Sequence, residues 1–151
     1  MALSEDLKIY RSMYDLTRLL IRARNQFDKS MKYVVGERMI SVSLDCLTRI
    51  HFANEDKRKG ARVEHLDKFL MDFDVLKTLI MVCRDERQFK RDSLLGEVYI
   101  KVADVETQAT AWRKSARKPE LRQGKAQEAQ DAQGNAGGAL AEGEQLSRAI
   151  G

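Results

Sequence analysis

Apolar residues recur along most of the chain at the spacing of helices. In each of four segments they fall three or four positions apart, so that each segment carries an apolar face along its length. The segments cover residues 4–27, 36–54, 61–84 and 92–115. Their short connections favour antiparallel neighbours. The pattern predicts an all-α protein with an antiparallel up-down-up-down four-helix bundle, and the alternative is a longer array of helical hairpins.

The first and last segments carry the most regular apolar seams. Ser4 is the expected N-cap of the first helix, with Glu5 and Asp6 in the first turn, where negative charge is favourable. The last helix is expected to begin near Asp92 or Ser93. Seams of this kind are typical of bundle helices. The seam positions are Ile9, Met13, Leu16, Leu20, Ala23 and Phe27 in the first segment and Leu95, Val98, Val102, Val105, Ala109 and Trp112 in the last.

The third segment is apolar on two sides. Besides its main face, its second half carries Met71, Val75, Leu79 and Val82 at helical spacing on another side. A helix with two apolar sides needs two neighbours. One interpretation is a contact between subunits, which makes these four residues a candidate oligomer interface. The other is a tilted or more central helix inside a single subunit.

The composition changes near residue 118. Residues 119–151 hold the only proline and six of the nine glycines, and they contain few large apolar side chains. Residues 1–118 carry 24 Lys and Arg against 18 Asp and Glu, so this part of the chain is basic. A segment poor in apolar residues cannot bury enough surface to offset its chain entropy. We therefore predict a four-helix domain over 1–118 and a disordered tail over 119–151.

Sequence motifs for catalysis and metal binding are missing. Neither His51 nor His65 has a glutamate three positions earlier, as the metal sites of carboxylate-bridged bundles require. Cys46 and Cys83 are far apart among apolar neighbours, which predicts buried, reduced thiols. The chain also lacks glycine-rich phosphate loops and nucleophile motifs. We expect no catalytic activity, no metal and no cofactor.

Hydropathy along the chain argues against a membrane protein. No apolar run approaches the ~18 residues that a spanning helix needs. The first residues also lack the basic and apolar regions of a secretory signal. We expect a cytoplasmic protein that does not contact a membrane.

Basic residues gather in clusters that are suited to a polyanion. Such clusters can neutralise phosphates, and with few aromatic residues available they would read the backbone of a nucleic acid more than its bases. The alternative is that they are solvated helix faces, because acidic residues lie beside most of them. The candidate nucleic-acid-binding residues are Arg11, Arg18, Arg22 and Lys29 along the first helix, Lys57, Arg58 and Lys59 after the second, and Arg84, Arg87, Lys90 and Arg91 after the third.

Four stretches of the chain carry a family resemblance. They read IYRSMYDL at 9–16, FDK at 27–29, KYVVGERM at 32–39 and AWRKS at 111–115. Together they resemble the small four-helix-bundle proteins related to Avd, the accessory variability determinant of diversity-generating retroelements. Proteins encoded in intervening sequences of 23S ribosomal RNA genes belong to the wider family, but their Ser-Ile-Pro-type stretch is absent here. Relatives often have Phe-Pro-Lys where this chain has Asp28, which we interpret as a minor change.

The resemblance, which spans about residues 6–118, implies a function. It implies a non-catalytic homopentamer that binds the reverse transcriptase of the retroelement and engages RNA or DNA through basic surfaces during mutagenic reverse transcription. Lys32, Tyr33, Gly36 and Glu37 match the family's motif. We interpret these residues as structural, with Gly36 at a bend, Glu37 near a helix N-terminus and Tyr33 packed at the bundle end. The alternative function is a helical protein–protein adaptor that binds no nucleic acid.

Overall fold

A computed structural model describes residues 7–117 and 128–130, and within these residues the protein is helical with no strand. The prediction of an all-α protein is therefore confirmed for the described part. Of the described residues, 7–114 belong to one compact unit, and 115–117 and 128–130 belong to a second. The helices are α1 (Lys8–Asn25), α2 (Lys29–Met31), a π-helical segment (Lys32–Gly36), α3 (Glu37–Glu55), α4 (Ala61–Asp85) and α5 (92–117).

The predicted tail lies almost entirely outside the described residues. Of residues 119–151, the structure describes only 128–130, and these three are helical and exposed. The proposed disorder of this stretch therefore stays a prediction.

The first helix begins later than its sequence predicts. Leu7 occupies the N-cap position with an extended backbone, and the first turn holds no acidic residue. The backbone N–H of Arg11 donates to the carbonyl of Leu7 at 3.1 Å, which closes the first helical turn. The prediction that Ser4 caps this helix is therefore wrong, and Ser4 itself lies outside the described residues.

The sequence did not predict that residues 29–35, which precede α3, are helical. We expected the second helix to begin at Gly36, but the chain is helical without interruption from Lys29, through the π-helical segment, to the end of α3. The N–H groups of Met31 and Lys32 both donate to the carbonyl of Asp28, at 2.9 and 2.8 Å, and so begin this helix. The first part escapes periodicity analysis because a single α-turn followed by π-helical backbone does not repeat every 3.6 residues.

The core is aliphatic, with two stacked phenylalanines near its centre. The ring centroids of Phe69 and Phe73 lie 5.4 Å apart, and both side chains are buried. The buried rows follow the predicted seams, except that Leu95 and Trp112 are only partly buried. Burying one large apolar side chain contributes about 1.5–3 kcal/mol, so these rows account for most of the drive to fold. The largest fully buried side chains besides the two phenylalanines are Met13, Leu16, Leu20, Met39, Ile50, Leu66, Leu76, Ile80, Val98 and Val105.

Polar side chains link α1 to α5. The hydroxyl of Ser12 donates to Asp104 at 2.7 Å, and three residues further along α1 Asp15 pairs with Lys101 at 3.6 Å. A residue further along α1 thus contacts a residue that comes earlier in α5.

The contacts between α4 and α5 follow the same order. From the beginning of α4 to its end, Asp67 pairs with Arg113, then Lys77 with Glu106 at 2.5 Å, and then Arg84 donates to the hydroxyl of Tyr99 at 2.9 Å. Between α3 and α4, Arg49 pairs with Asp72 at 3.6 Å, and Arg62 donates to the carbonyl of Ala53 at 3.0 Å.

The second apolar stripe of α4 lies at the surface. Met71 is 69% exposed, Val75 and Val82 are exposed as well, and Leu79 is partly buried against the core. A central position for α4 would have buried all four side chains, so that interpretation is wrong. The stripe remains a candidate interface between subunits.

Both cysteines are free and buried, as predicted. Burial raises the pKa of the Cys83 thiol to about 11. The pKa of the Cys46 thiol is also raised, first by burial and then by the nearby carboxylates of Asp72 and Asp45. In the part of the chain that the structure describes, no helix is both long enough and apolar enough to cross a membrane.

Candidate nucleic-acid interface

The structure separates the two predicted basic clusters on either side of α4. Lys57, Arg58 and Lys59 precede this helix, whereas Arg84 lies in its last turn and Arg87, Lys90 and Arg91 follow it. The helix between them has 25 residues, which at ~1.5 Å per residue separates the groups by about 37 Å. They therefore cannot form one surface within a single subunit.

In the group before α4, Asp56 pairs with one of the three cations, Arg58. The guanidinium of Arg58 contacts this carboxylate at 2.6 Å, and Nε2 of His65 lies 2.9 Å from the same oxygen. These hydrogen bonds, first from Arg58 and then from His65, hold the pKa of the Asp56 carboxyl well below its usual range. The ammonium of Lys57 donates to the carbonyl of Asn54 at 3.0 Å. Among the residues that the structure describes, Lys59 alone of the three predicted cations here has no side-chain partner.

Arg87 ends α4 in an unusual backbone conformation. Its φ is 59°, the left-handed region that normally takes glycine. The N–H of Arg87 donates to the carbonyl of Arg84, and the N–H of Gln88 donates to that of Cys83, both at 2.9 Å. This pair of bonds is the Schellman motif, in which glycine is the usual residue at the position of Arg87. The side chain of Arg87 is exposed and has no partner among the described residues.

Asp28 fastens the loop after α4 to the beginning of α2. Its backbone N–H donates to Oε1 of Gln88 at 2.8 Å, and its carboxylate accepts from Nε2 of Gln88 and from the ammonium of Lys90, both at 3.1 Å. These hydrogen bonds, with Gln88 first, lower the pKa of the Asp28 carboxyl. The rings of Phe27 and Phe89 pack edge-on beneath them, with centroids 5.6 Å apart. Asp28 therefore holds the loop after α4 through both its backbone and its side chain.

Two grooves run between α1 and α5, and Arg22 lines both. The first lies between the two helices and is lined by the cations Arg18, Arg22 and Lys101, by the carboxylates Asp15 and Glu97, and by apolar side chains. The second, nearer the loop after α4, places Arg22 beside Arg91. Within the described residues, neither Arg18 nor Arg22 is paired with a carboxylate.

These contacts bring several predicted cations to one end of the molecule. Asp28 carries its neighbour Lys29 to the loop that contains Arg87 and Lys90, and the second groove joins Arg22 to Arg91. We call this surface the basic end, defined as Arg22, Lys29, Arg87, Lys90 and Arg91. Arg84 lies beside it but is paired with Asp85 at 2.9 Å.

Arg11 lies apart from this surface. It lines a third groove near the beginning of α1, together with Tyr10, Tyr14 and Asp15.

The four residues of the predicted motif, Lys32, Tyr33, Gly36 and Glu37, have different surroundings. Gly36 is buried in helical backbone, with φ −61° and ψ −44°, so the predicted bend is wrong. A Cβ at this position would lie 3.1 Å from both Cγ of Arg24 and Cδ2 of Phe27, so close packing is what favours glycine here. Glu37 is the first residue of α3, as predicted, although helical backbone already precedes it from Lys29. Tyr33 is 57% exposed and is not packed at the bundle end.

The structure adds two residues that sequence reasoning missed as candidate site residues. Lys101 lines the first groove together with Arg18 and Arg22, and it is paired there with Asp15 at 3.6 Å. Arg24 donates from Nε to the carbonyl of Lys32 at 3.1 Å and lies over the exposed ring of Tyr33. Neither Arg24 nor Lys101 belongs to a basic run, and their neighbours come from another helix. No local pattern in the sequence could have indicated them.

Comparisons with known proteins assign no family. No protein-family model matches the chain, and no curated protein matches it. Within residues 7–117 and 128–130, no three His, Cys, Asp or Glu side chains are grouped closely enough to hold a metal ion.

Proposed function

We propose that this protein is a non-catalytic nucleic-acid-binding protein that contacts phosphates through its basic end and the adjoining groove between α1 and α5. The convergence of Arg22, Lys29, Arg87 and Arg91 from three stretches of the chain carries this proposal. Cations held close together on a folded surface bind a polyanion more strongly than cations that are spread or already paired.

The backbone of Arg87 supports the same proposal. A left-handed conformation costs a non-glycine residue about 1–2 kcal/mol, yet this position carries a long basic side chain. Backbone strain of this kind tends to occur at functional sites. Contact between the exposed guanidinium and a phosphate would be a functional reason for an arginine to occupy this strained position.

The proposed architecture is an antiparallel up-down-up-down four-helix bundle. The order of the side-chain contacts supports it, because partner positions on α5 fall as those on α1 and α4 rise. In this arrangement the ends of α1 and α4 and the beginning of α5 lie at the same end of the bundle. The basic end would then be the set of residues surrounding those three helix termini.

The proposed biological setting is a diversity-generating retroelement. The resemblance to Avd-like proteins supports it, through IYRSMYDL at 9–16 and KYVVGERM at 32–39. In this setting the protein binds the element's reverse transcriptase in the cytoplasm and engages RNA or DNA during mutagenic copying. Co-elution of the purified protein with a reverse transcriptase encoded beside its gene tests the setting, and separate elution at micromolar concentrations would contradict it.

The proposed assembly is a homopentamer that uses the exposed stripe of α4. Exposed apolar side chains at helical spacing support a contact with another helix. A ring would also repeat the basic end around its circumference, so that weak sites act together on one polymer. Replacing Met71 and Val75 by lysine should dissociate the ring in sedimentation experiments, whereas Met81→Lys, an exposed position of α4 outside the stripe, should not. A wild-type monomer would exclude this assembly.

The salt dependence of RNA binding tests the proposed function. With a fluorescent single-stranded RNA, the logarithm of affinity should fall linearly with the logarithm of salt concentration, because phosphate contacts release counterions. Replacing Arg22 and Arg87 by glutamate should reduce both the affinity, by more than about tenfold, and the slope.

Charge reversal at the other end of the molecule gives the matched control. Replacing Lys57 and Lys59 by glutamate changes the net charge equally but leaves the basic end intact. It should have a much smaller effect. Equal loss in the two double variants would show non-specific attraction only, and wild-type protein that does not bind at low salt would refute the proposal.

A second candidate function is an adaptor that binds proteins and no nucleic acid. The exposed apolar stripe of α4 favours it, since such a surface is suited to another helix. Stable binding to a protein partner without RNA affinity at low salt would establish this function instead.

A further inference from the structure

An exposed tyrosine lies on the π-helical segment, outside the grooves described above. Tyr33 exposes 57% of its surface and its neighbour Val34 exposes 67%. Neither belongs to the hydrophobic core. The ring therefore contributes little to the stability of the subunit, and π-helical segments of this kind are frequent at functional sites.

Two cations lie over the ring of Tyr33. Cζ of Arg24 lies 5.6 Å from the ring centroid, and Nζ of Lys32 lies 5.7 Å from it. The hydrogen bond from Nε of Arg24 to the carbonyl of Lys32 holds the guanidinium in place. Among the described residues no carboxylate pairs with either cation, so both retain their charge for a ligand.

Gly36 makes this arrangement rigid. Because it has no Cβ, the helix packs directly against the aliphatic part of Arg24 and the ring of Phe27. Phe27 in turn contacts Phe89 in the loop of the basic end. Tyr33 and its two cations thus rest on a packed support that extends to the cations of the basic end.

We propose that Tyr33 stacks on an unpaired base of single-stranded RNA or DNA while Arg24 and Lys32 contact the phosphates on either side of it. This inference rests on the proposed function and specifies which nucleic acid the surface takes. An aromatic ring offers a stacking face to any base, and neighbouring cations neutralise the backbone. A duplex cannot use the ring, because its bases are already stacked. The site therefore favours single strands without reading a particular sequence.

The flanking charges favour a nucleic acid over a protein partner. A protein hot spot at Tyr33 and Val34 would place apolar surface beside the ring, and burying Arg24 and Lys32 without carboxylates would cost desolvation energy. A phosphodiester backbone supplies negative charge on both sides of each base. One ligand class thus satisfies the ring and both cations.

Substitutions at Tyr33 separate stacking from charge. Tyr33→Leu removes the aromatic face, and Tyr33→Phe retains it. The affinity of a twelve-nucleotide oligo-uridine should fall roughly tenfold in the leucine variant and less than about twofold in the phenylalanine variant. The slope against salt should be unchanged in both, because no phosphate contact is lost. Binding of a duplex with the same number of phosphates should not change.

Photo-crosslinking gives an independent measurement. An oligonucleotide that contains 5-iodouridine should crosslink to Tyr33 in the wild-type protein, and mass spectrometry of the adduct identifies the residue. Circular dichroism of each variant checks that helicity is retained.

The outcomes distinguish the inference from the proposed function. If wild-type protein binds oligo-uridine and the leucine variant binds it equally well, stacking is refuted while the basic end stands. Equal losses for single strand and duplex would also refute stacking. If the leucine variant loses only a protein partner, the surface is a protein contact. If wild-type protein binds no nucleic acid, both proposals fail.

Discussion

The two connections that flank α4 look alike in sequence and differ in structure. Both are short, basic and contain aspartate beside their cations. Before α4, Asp56 occupies Arg58, and Gly60 takes the left-handed conformation. After α4, the left-handed residue is Arg87, and Asp28 binds only Lys90 among the nearby cations. Within the part of the chain that the structure describes, each connection leaves two cations without a carboxylate partner, Lys57 and Lys59 before α4 and Arg87 and Arg91 after it. The difference teaches that placement decides which cluster becomes a candidate site, because among these four cations only Arg91, after α4, shares one of the described grooves with a cation from another helix.

We expect the largest difference in stability between the two connections when the loop after α4 is released from Asp28. Gln88→Ala removes the side chain that bonds both the N–H and the carboxylate of Asp28. Losing these two part-buried hydrogen bonds of the buried Gln88 side chain should lower the free energy of unfolding by about 1–3 kcal/mol. Thermal melting measures the change. Lys57→Ala, which removes one exposed hydrogen bond at the other connection, should stay within about 0.5 kcal/mol of wild type, and equal effects would remove the contrast.

A smaller pair of effects should have opposite signs. Gly60 and Arg87 share a left-handed backbone, with φ of 79° and 59°. Gly60→Ala introduces a Cβ into this conformation and should destabilise the protein by about 1 kcal/mol. Arg87→Gly relieves the strain and should stabilise it by about 0.5–1 kcal/mol, while weakening RNA binding. Urea unfolding measures both, and a destabilised Arg87→Gly variant would contradict the assigned strain.

The smallest effects should appear in the pH dependence of stability. The pKa values of Asp56 and Asp28 are both lowered in the folded state. The stabilisation is therefore complete above the unfolded value of about 3.9, and it is lost as pH falls towards the folded value. The difference in melting temperature between wild type and Asp56→Asn, or Asp28→Asn, should be largest near neutral pH and shrink below about pH 4. A difference in melting temperature that stays constant with pH would contradict this dependence on the ionised carboxylates.

Helical periodicity predicted the core because burial repeats along each helix. Met13, Leu20, Val98 and Val105 occupy predicted seams and are fully buried. The same reasoning could not locate the beginning of α1. Ser4, Glu5 and Asp6 form a good capping sequence, yet the helix begins only after Leu7. Capping residues indicate several positions at which the helix could begin. The observed beginning lies just before Ile9, the first buried residue of the helix.

The candidate site was only partly predictable, because availability of charge depends on contacts between distant residues. Arg22 and Lys90 were predicted as equivalent cations, but Lys90 is paired with Asp28, which lies 62 positions earlier in the sequence. Arg24 is a candidate site residue only because it donates to the carbonyl of Lys32 and lies over the ring of Tyr33. Such pairings cannot be read from spacing along one helix, since they join different elements.

The burial of both thiols has a practical consequence. Because Cys46 and Cys83 are free and shielded inside the folded protein, a maleimide reagent should react with them only when the chain opens. The rate of modification by the maleimide therefore measures opening of the interior, and no cysteine has to be introduced for this measurement. A cysteine introduced at an exposed position such as Lys59 would react far faster than either, which permits attachment of a dye to a single site in the otherwise natural sequence.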